Sequence, residues 1–263
     1  MSGKGGVVSK PGVAIIIQAR MSATRLPGKS LMEIEGKPVI WHVVERARKA
    51  KQANTVMIAT TVEKSDQPIA DFAKKSGIAC FRGDLNDVLD RYYTAARQSG
   101  AEIIVRITGD SPLVDPGLID EAVGLLKKGN YDYVSNSQKP WMDGFDVEAF
   151  TFASLERAWK EAGMASQREH VTPYMRDSGK FRVQYLKNDA RLDGVQCSID
   201  HEADLKFVRE IYKHMLKKGL DHEFSYKDVI ALLEEKPELL KINKGAVVNE
   251  GYAKSLREDK KVK

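Results

Sequence analysis

The feature that most constrains the fold is an alternation of buried strands and helices over the first half of the chain. Short apolar, β-branched runs are typical of strands buried on both faces, and longer segments carry apolar residues at helical spacing. Strands separated by helices form parallel sheets with right-handed crossovers. The predicted strands are Val13–Ile17, Val56–Thr60, Ile78–Arg82 and Ile103–Thr108, and the predicted helices between them are Val39–Lys51, Asp66–Ser76 and Asp84–Ser99. The sequence therefore predicts an α/β fold with a mostly parallel central sheet flanked by helices.

The second half continues with elements of both kinds but in a less regular order. We expect the segment from 139 to 186 to project from the main sheet and residues 1–12 to form a flexible tail. The predicted strands are Tyr131–Ser135, Phe181–Tyr185 and Val195–Ile199, a short extended piece is Leu31–Ile34, and the predicted helices are Pro116–Lys128, Leu155–Ala162, His201–Leu216 and Tyr226–Lys241, the last broken at Pro237.

Composition excludes several classes of protein. The chain has 263 residues and a formal net charge of +5. No apolar run approaches the ~20 residues that cross a bilayer, and no basic stripe interleaved with aromatic residues indicates nucleic-acid binding. The N-terminus lacks the apolar core of a secretory signal. We expect Cys80 and Cys197 to be buried thiols in a reducing cytoplasm.

A basic loop directly follows the first predicted strand. It contains Arg20, Arg25 and Lys29 within ten residues, and Pro27-Gly28 indicates a turn inside it. Ligands of α/β sheets bind at the carboxyl ends of strands, and arginine and lysine are suited to phosphate oxygens. The loop lacks the spacing of a Walker A motif and of a dinucleotide-binding fingerprint. It is therefore either a site for a polyanion or a solvated basic loop.

An aspartate follows the fourth predicted strand. Asp110 stands after Gly109 and before Pro112, where a carboxylate is well placed to hold a hard cation such as Mg²⁺. The alternative role is an N-cap of the helix that begins at Pro116, although Asp115 is closer to that start. Asp200 directly follows the predicted strand Val195–Ile199 and could cap the helix that begins at His201.

The stretch Trp141–Phe150, which contains acidic and aromatic residues, follows the predicted strand Tyr131–Ser135. Sugar sites combine carboxylates with aromatic walls, which suits Asp146 and leaves Asp143 open between a site role and a hairpin. Further along, Arg168 and His170 lie beside an acid and could bind an anionic sugar group, although a single histidine is more often structural.

Specific motifs in this chain resemble those of a known family. The segment from Gln18 to Leu31, QARMSATRLPGKSL, resembles the opening signature of the cytidylyltransferases that make CMP-activated sugars, such as CMP-KDO synthetase. The spore-coat polysaccharide (SpsF-like) branch is the most similar. The resemblance recurs at Thr108–Asp115, Arg168–Tyr174, Ser198–Leu205 and Asn249–Tyr252, so it covers nearly the whole chain from Val13 onward.

The resemblance implies a fold, an activity and a set of site residues. It implies a single nucleotidyltransferase domain, residues 13–263, with a GT-A-like Rossmann-type sheet, and a homodimer with contacts in 139–186. The implied reaction is Mg²⁺-dependent transfer of CMP from CTP to a small acidic or phosphorylated sugar, with release of pyrophosphate, for surface polysaccharide synthesis in the cytoplasm. The implied site residues are Arg20, Arg25 and Lys29 for catalysis; Gln18, Ala19, Arg20, Met21, Ser22, Arg25, Lys29, Arg106, Thr108 and Asp110 for the nucleotide; Asp110 and Asp200 for Mg²⁺; and Asp146, Arg168 and His170 for the sugar.

The alternatives are an NDP-sugar pyrophosphorylase that uses another nucleotide and a GT-A glycosyltransferase. Glycosyltransferases usually carry an Asp-x-Asp motif, which Gly109-Asp110-Ser111-Pro112 does not supply. The chain also departs from CMP-KDO synthetase, because Arg106-Ile-Thr precedes Gly109-Asp110 where that enzyme carries a glutamine. Such differences concern the identity of the sugar more than that of the nucleotide.

Overall fold

A seven-stranded sheet forms the centre of the fold in the computed structural model, which describes residues 12–138, 140–188, 194–246 and 250–263. Its strand order is β5-β4-β1-β6-β8-β7-β9, and only β8 runs antiparallel to its neighbours. A short ribbon, β2 with β3, stands apart from it. The strands are β1 Val13–Gln18, β2 Glu33–Ile34, β3 Lys37–Pro38, β4 Thr55–Thr61, β5 Ala79–Gly83, β6 Ile103–Thr108, β7 Tyr133–Ser135, β8 Glu148–Thr151 and β9 Val183–Tyr185.

Helices cover the sheet. Among the described residues, no helix is long and apolar enough to cross a membrane. The helices are α1 Val39–Ala47, α2 Gln67–Lys75, α3 Val88–Ser99, α4 Pro116–Gly129, α5 Phe152–Glu161, α6 Ala165–His170, α7 Pro173–Asp177, α8 Glu202–Lys217, α9 Tyr226–Glu235 and α10 Glu250–Arg257. Short 3-10 helices span Lys29–Leu31, Lys64–Asp66 and Pro237–Lys241.

The predicted fold class is confirmed, and the packing of strand β1 shows the physical reason. Ile15 and Ile17 pack in one hydrophobic cluster, and Ile16, which points to the opposite face, packs in a second cluster. A strand with apolar residues on both faces requires helices on both sides of the sheet. β1 also pairs in parallel with both β4 and β6, so the loops that follow these three strands emerge at one edge.

The structure corrects several local predictions. Residues 195–199 form no strand and pair only through the isolated bridge between Asp143 and Gln196. Cys80 is exposed because it lies on the edge strand β5, whereas Cys197 is buried as expected. Part of the segment predicted to project belongs instead to the main sheet, as strands β8 and β9.

Several helix and strand boundaries also move. Helix α3 begins at Val88 rather than Asp84, α1 already ends at Ala47, and α5 begins at Phe152. The chain around Leu31 is a 3-10 turn before the two-residue strand β2. The predicted tail lies outside the described residues except for Gly12, and so does Lys139. The predicted single domain stays a prediction.

A buried histidine in α1 makes stability depend on pH. His42 donates from Nε2 to the Ile34 carbonyl at 2.8 Å, and its Nδ1 lies 3.0 Å from Nε2 of His222. Burial lowers the pKa of His42 to about 4, and the positive charge of His222 would add to that effect.

We therefore expect acid to destabilise the fold through His42. Between pH 6.5 and 4 the unfolded chain binds a proton at this residue and the folded chain does not, so stability is complete above this window and falls as the pH drops through it. Urea unfolding at pH 7 and pH 5 should show that His42→Gln removes about 2 kcal/mol of the wild-type pH dependence. His214→Gln, at a half-buried position in α8, is the control. An unchanged pH dependence in His42→Gln would contradict this assignment.

Candidate active site

The basic loop after β1 is folded back on itself. The Gly28 amide donates to the carbonyl of Met21 at 2.9 Å, and Gly28 adopts φ 78°, a left-handed conformation that glycine tolerates best. The Met21 amide in turn donates to the buried carboxylate of Asp66 at 2.6 Å. Both contacts fix the backbone of the loop, which places Lys29 at the start of a 3-10 turn that faces the sheet.

The Lys29 ammonium is the centre of the site. Its Nζ donates to Asp110 Oδ2 at 2.5 Å, to Asp200 Oδ1 at 3.0 Å and to the carbonyl of Ile199 at 2.7 Å. These contacts join the basic loop to the end of β6 and to the segment before α8. The two aspartates predicted to act together therefore converge on one point. The charge of Lys29 also lowers the pKa of Asp110 despite its burial.

The Arg25 guanidinium lies between two carboxylates. Its Nη2 lies 2.7 Å from Asp200 Oδ1, and its Nη1 lies 2.7 Å from Glu250 Oε2 at the start of α10. Burial opposes the charge of Arg25, but Glu250, Asp200 and Asp110 together raise its pKa. Two cations of the basic loop, Arg25 and Lys29, are thus paired with acids of the same site.

Helix capping leaves Asp110 and Asp200 available for chemistry. Asp115 accepts hydrogen bonds from the amides of Gly117 and Leu118 and caps α4, as predicted. Asp204 accepts from the amides of Asp200 and His201 at 3.1 and 2.7 Å and so supports the turn before α8. The alternative roles of Asp110 and Asp200 as N-caps are therefore excluded.

Two glycines permit the close backbone approaches that bring these segments together. A Cβ on Gly109 would lie 2.8 Å from the carbonyl oxygen of Gln18, and a Cβ on Gly144 would lie 2.4 Å from the amide of Ser198. Gly144 also adopts φ 92°. A side chain at either position would push apart the segments that carry the site.

Asp143 and Asp146 form a half-buried carboxyl pair behind the site. Asp143 accepts from the Ser198 hydroxyl at 2.7 Å, and Asp146 accepts from the amide of Gly144 at 3.0 Å. Burial, followed by the neighbouring charge of Asp143, raises the pKa of Asp146 well above its usual range. Burial also raises the pKa of Asp143, with contributions from Asp110 and Asp200. The pair therefore retains a proton more readily than exposed aspartates do.

A cavity of about 510 Å³ opens beside Lys29. It is bounded by the basic loop, the end of β6, the start of α3, and helices α6 and α10. The predicted site residues that line it are Gln18, Ala19, Arg20, Arg25, Lys29, Thr108, Asp110, His170 and Asp200. The structure thus brings together nine residues chosen from four separate segments of the sequence.

Five predicted site residues do not line this cavity. Met21 packs against the hydrophobic core, Ser22 is exposed on the loop, and Asp146 is in the carboxyl pair. Arg106 is paired with the buried Glu148, and its Nε donates to Gln18 Oε1 at 3.1 Å, so it can act only by positioning Gln18.

Arg168 is held within the protein. Its Nε and Nη2 donate to Asp87 Oδ2 at 2.9 and 2.5 Å, and its Nη1 donates to the Trp159 carbonyl at 2.9 Å. Asp87 is the N-cap of α3. In this arrangement Arg168 fixes α6 on α3.

His170 faces the cavity as a neutral ring. Its Nε2 lies 2.9 Å from the Ser255 hydroxyl, and its ring packs edge-on against Tyr252 at 5.0 Å. Burial lowers the pKa of His170 to about 4, so at neutral pH the ring offers a hydrogen bond rather than a charge.

Sequence reasoning missed two parts of the cavity wall. One is Arg91 in the first turns of α3; the other is one face of α10, namely Glu250, Gly251, Lys254, Ser255, Arg257 and Glu258. The family motif Asn249–Tyr252 includes the start of α10, but nothing in its residues indicated which segment it would contact. Asn249 itself lies outside the described residues.

Comparisons with known proteins agree with this geometry. A family model described as cytidylyltransferase matches residues 14–236. The chain belongs to the cytidylyltransferase family. Over 235 residues it is 31% identical to the spore coat polysaccharide biosynthesis protein SpsF of Bacillus subtilis. The aligned region covers 86% of this chain and 95% of SpsF. A 114-residue stretch is 39% identical to 3-deoxy-manno-octulosonate cytidylyltransferase of Geobacter sulfurreducens, which covers 43% of this chain and 45% of that enzyme.

A solved structure shows the same fold. A cytidylyltransferase from Leptospira borgpetersenii superposes on this chain with a TM-score of 0.83 and is 32% identical to it. The superposed region covers 90% of this chain and 100% of that one. The predicted family and the nucleotidyltransferase activity are therefore confirmed. Helix α10 of this cytidylyltransferase lies beyond the residues that the family model matches.

The buried cluster at Lys29 makes a prediction for stability. Lys29→Met would leave the carboxylate of Asp110 without its cation, because Asp110 pairs with Lys29 whereas Asp200 keeps Arg25. We expect a loss of about 2 kcal/mol in the free energy of unfolding at pH 7, measured with urea.

The matched control is Lys49→Met, which removes the solvent-exposed pair with Glu223 and should cost less than about 1 kcal/mol. Equal losses in the two variants would show that Lys29 contributes no more than a surface lysine.

Proposed function

We propose that this cytidylyltransferase transfers CMP from CTP to a small acidic or phosphorylated sugar, releases pyrophosphate, requires Mg²⁺, and serves surface polysaccharide synthesis. The observation that carries the proposal is the convergence of Asp110 and Asp200 on Lys29 beside Arg25, at the edge of a cavity whose lining includes further cations. Such a site suits a polyanion bound together with a divalent metal ion.

The proposed reaction asks the protein mainly for positioning and charge stabilisation. An oxygen of the sugar attacks the α-phosphorus of CTP, and the bond from that phosphorus to pyrophosphate breaks. Arg20, Arg25 and Lys29 would bind the triphosphate and stabilise the negative charge that develops on the leaving pyrophosphate. Hydrogen bonds already fix the backbone of the loop that carries these three residues. Little reorganisation of the loop would therefore be needed when the nucleotide binds.

The donor set fits Mg²⁺. Asp110 and Asp200 offer carboxylate oxygens toward a common point, and Mg²⁺ is usually bound by one or two carboxylates together with substrate phosphates. No group of three or more His, Cys, Asp or Glu side chains in the described part of the chain could hold a metal by itself, which is consistent with that mode. When bound, the ion would neutralise phosphate charge between the two substrates.

The cavity lining divides the proposed nucleotide residues into two groups. Gln18, Ala19, Arg20 and Thr108 line it and could touch the nucleotide. Met21, Ser22 and Arg106 do not, so their proposed contribution is indirect, through the shape of the loop and the orientation of Gln18.

An anionic acceptor is supported by the charge of the cavity and by one relative. Lys254 and Arg257 of α10 add cations to the wall, and His170 adds a hydrogen-bonding ring. 3-deoxy-manno-octulosonate, named for the Geobacter relative, is an acidic sugar. In this proposal Asp146 would act through its neighbour Asp143, and Arg168 by fixing α6. The homodimer and the cytoplasmic location stay predictions.

Pyrophosphate release tests the proposal. The assay combines Mg²⁺, CTP and a panel of acidic and phosphorylated sugars, with ATP, GTP and UTP in parallel. We expect release with CTP, and Asp110→Asn and Asp200→Asn should reduce kcat by at least about 100-fold because each removes a charge next to the reacting phosphates. Asp71→Asn, at an exposed position in α2, is the control and should be unchanged.

Other outcomes would name the alternative enzymes. Release with another nucleotide and not with CTP would establish an NDP-sugar pyrophosphorylase. Sugar transfer without pyrophosphate would establish a glycosyltransferase. If neither CTP nor any other nucleotide with Mg²⁺ raised the melting temperature, the site would not bind nucleotides and the proposal would fail.

A further inference from the structure

A buried glutamine beside Asp200 carries an oxygen without a partner. Gln196 is 3% exposed, and among the described residues its Oε1 accepts no hydrogen bond. Its Nε2 lies 3.4 Å from Asp200 Oδ2 and 3.3 Å from Asp204 Oδ2, so the amide directs its donor group between two carboxylates. A buried acceptor without a partner costs free energy and requires an explanation. The opposite orientation of the amide would be worse, because Oε1 would then face both carboxylates.

Asp204 connects this glutamine to the turn before α8. Its side chain is buried, and its Oδ2 accepts from the amides of Asp200 and His201 as well as from Gln196. Its Oδ1 accepts from Nδ2 of Asn243 at 2.9 Å. Both oxygens of this buried carboxylate are therefore bonded, and through them Asp204 fixes the backbone at Asp200.

Asn243 holds the two ends of the stretch that carries Asp200. Its Nδ2 donates to the carbonyl of Gln196 at 2.8 Å in addition to Asp204 Oδ1, so both of its N–H groups are used. Asn243 is half-buried and follows the 3-10 helix Pro237–Lys241, beyond the residues that the family model matches. Because Asp200 lies midway between residues 196 and 204, one amide from a distant segment constrains the direction of its side chain.

The two oxygens of Asp200 are unequally engaged. Lys29 Nζ and Arg25 Nη2 both contact Oδ1, at 3.0 and 2.7 Å. The contact of Oδ2 with Gln196 Nε2 is longer, at 3.4 Å. Oδ2 is therefore the oxygen that Asp200 can more readily give to a metal ion, and the segment held by Asn243 lies directly beside it.

We propose that Asn243 positions Asp200 for the divalent metal ion by holding Gln196 and Asp204 on either side of it. The inference rests on the proposed function. Asn243 contacts neither carboxylate of the proposed metal pair, so it is a positioning residue and not a ligand. An ion that has only two protein carboxylates depends on the direction of each. Residues that orient metal ligands typically affect metal affinity or activity by about 10- to 100-fold.

The test compares Asn243→Ala with Asn54→Ala, which removes a side-chain bond to the Val13 amide at the end of β1 away from the site. Water-proton relaxation measures Mn²⁺ binding to the enzyme with CTP and without sugar. The Kd for Mn²⁺ should rise about 10-fold in Asn243→Ala, and kcat should recover at saturating Mg²⁺. Asn54→Ala should lower the melting temperature and leave this Kd unchanged.

A second variant tests the same arrangement from its other side. Gln196→Met keeps the volume of the side chain and removes the donor between Asp200 and Asp204, so the Kd for Mn²⁺ should rise here as well. This variant also decides the matter if Asn243→Ala does not fold, which the melting temperature without ligand shows.

The contrary outcomes separate the two proposals. An unchanged Kd for Mn²⁺ in folded Asn243→Ala would overturn the positioning role and leave the proposed function standing, because the wild type still binds Mn²⁺ with CTP. An equal rise in Asn54→Ala would also overturn it, since weaker metal binding would then follow from any loss of stability. A wild type that binds no Mn²⁺ in the presence of CTP overturns both proposals.

Discussion

The Lys29 ammonium is the interaction on which the site depends. It joins three segments that are far apart in sequence: the basic loop, the end of β6 at Asp110, and the residues around Asp200. A buried ion pair gains little stability by itself, because desolvation offsets the attraction, but removal of one partner is expensive. Its main effect is therefore to hold the carboxylates and the loop in one arrangement.

Ion pairs within the site neutralise both Lys29 and Arg25. Lys29 neutralises Asp110 and Asp200, and Arg25 neutralises Asp200 and Glu250. A triphosphate with its metal ion carries the same two kinds of charge, so binding would exchange partners without leaving a buried charge alone. Glu250 is the member of the set that is replaced most easily, because its side chain is 46% exposed.

The C-terminal helix α10 is attached to this site by polar contacts. Tyr252 and Ser255 attach α10 to α6 and α7 through His170, Glu169 and Arg176. After the helix, Asp259 binds the amide and the hydroxyl of Ser166 at 2.9 and 2.6 Å. None of the residues of α10 is buried, so its place depends on these polar contacts and not on the hydrophobic core. One wall of the cavity is thus less firmly held than the sheet edge opposite it.

The sequence by itself determined the parts of this protein that depend on local patterns. Apolar runs predicted β1, β4, β5 and β6, the residues before Pro116 predicted the Asp115 cap, and a contiguous motif predicted the basic loop and the family. The tertiary structure alone decided which charges would meet. Arg168 contacts Asp87 and Arg106 contacts Glu148, 81 and 42 residues away, so both are held inside the protein rather than in the cavity. Within the part of the chain that the structure describes, Arg91 has no acidic partner of this kind, and α10 reaches Arg25 across 225 residues. Periodicity and spacing describe neighbours along the chain, whereas the pairing of a buried charge depends on whichever segment the fold brings beside it.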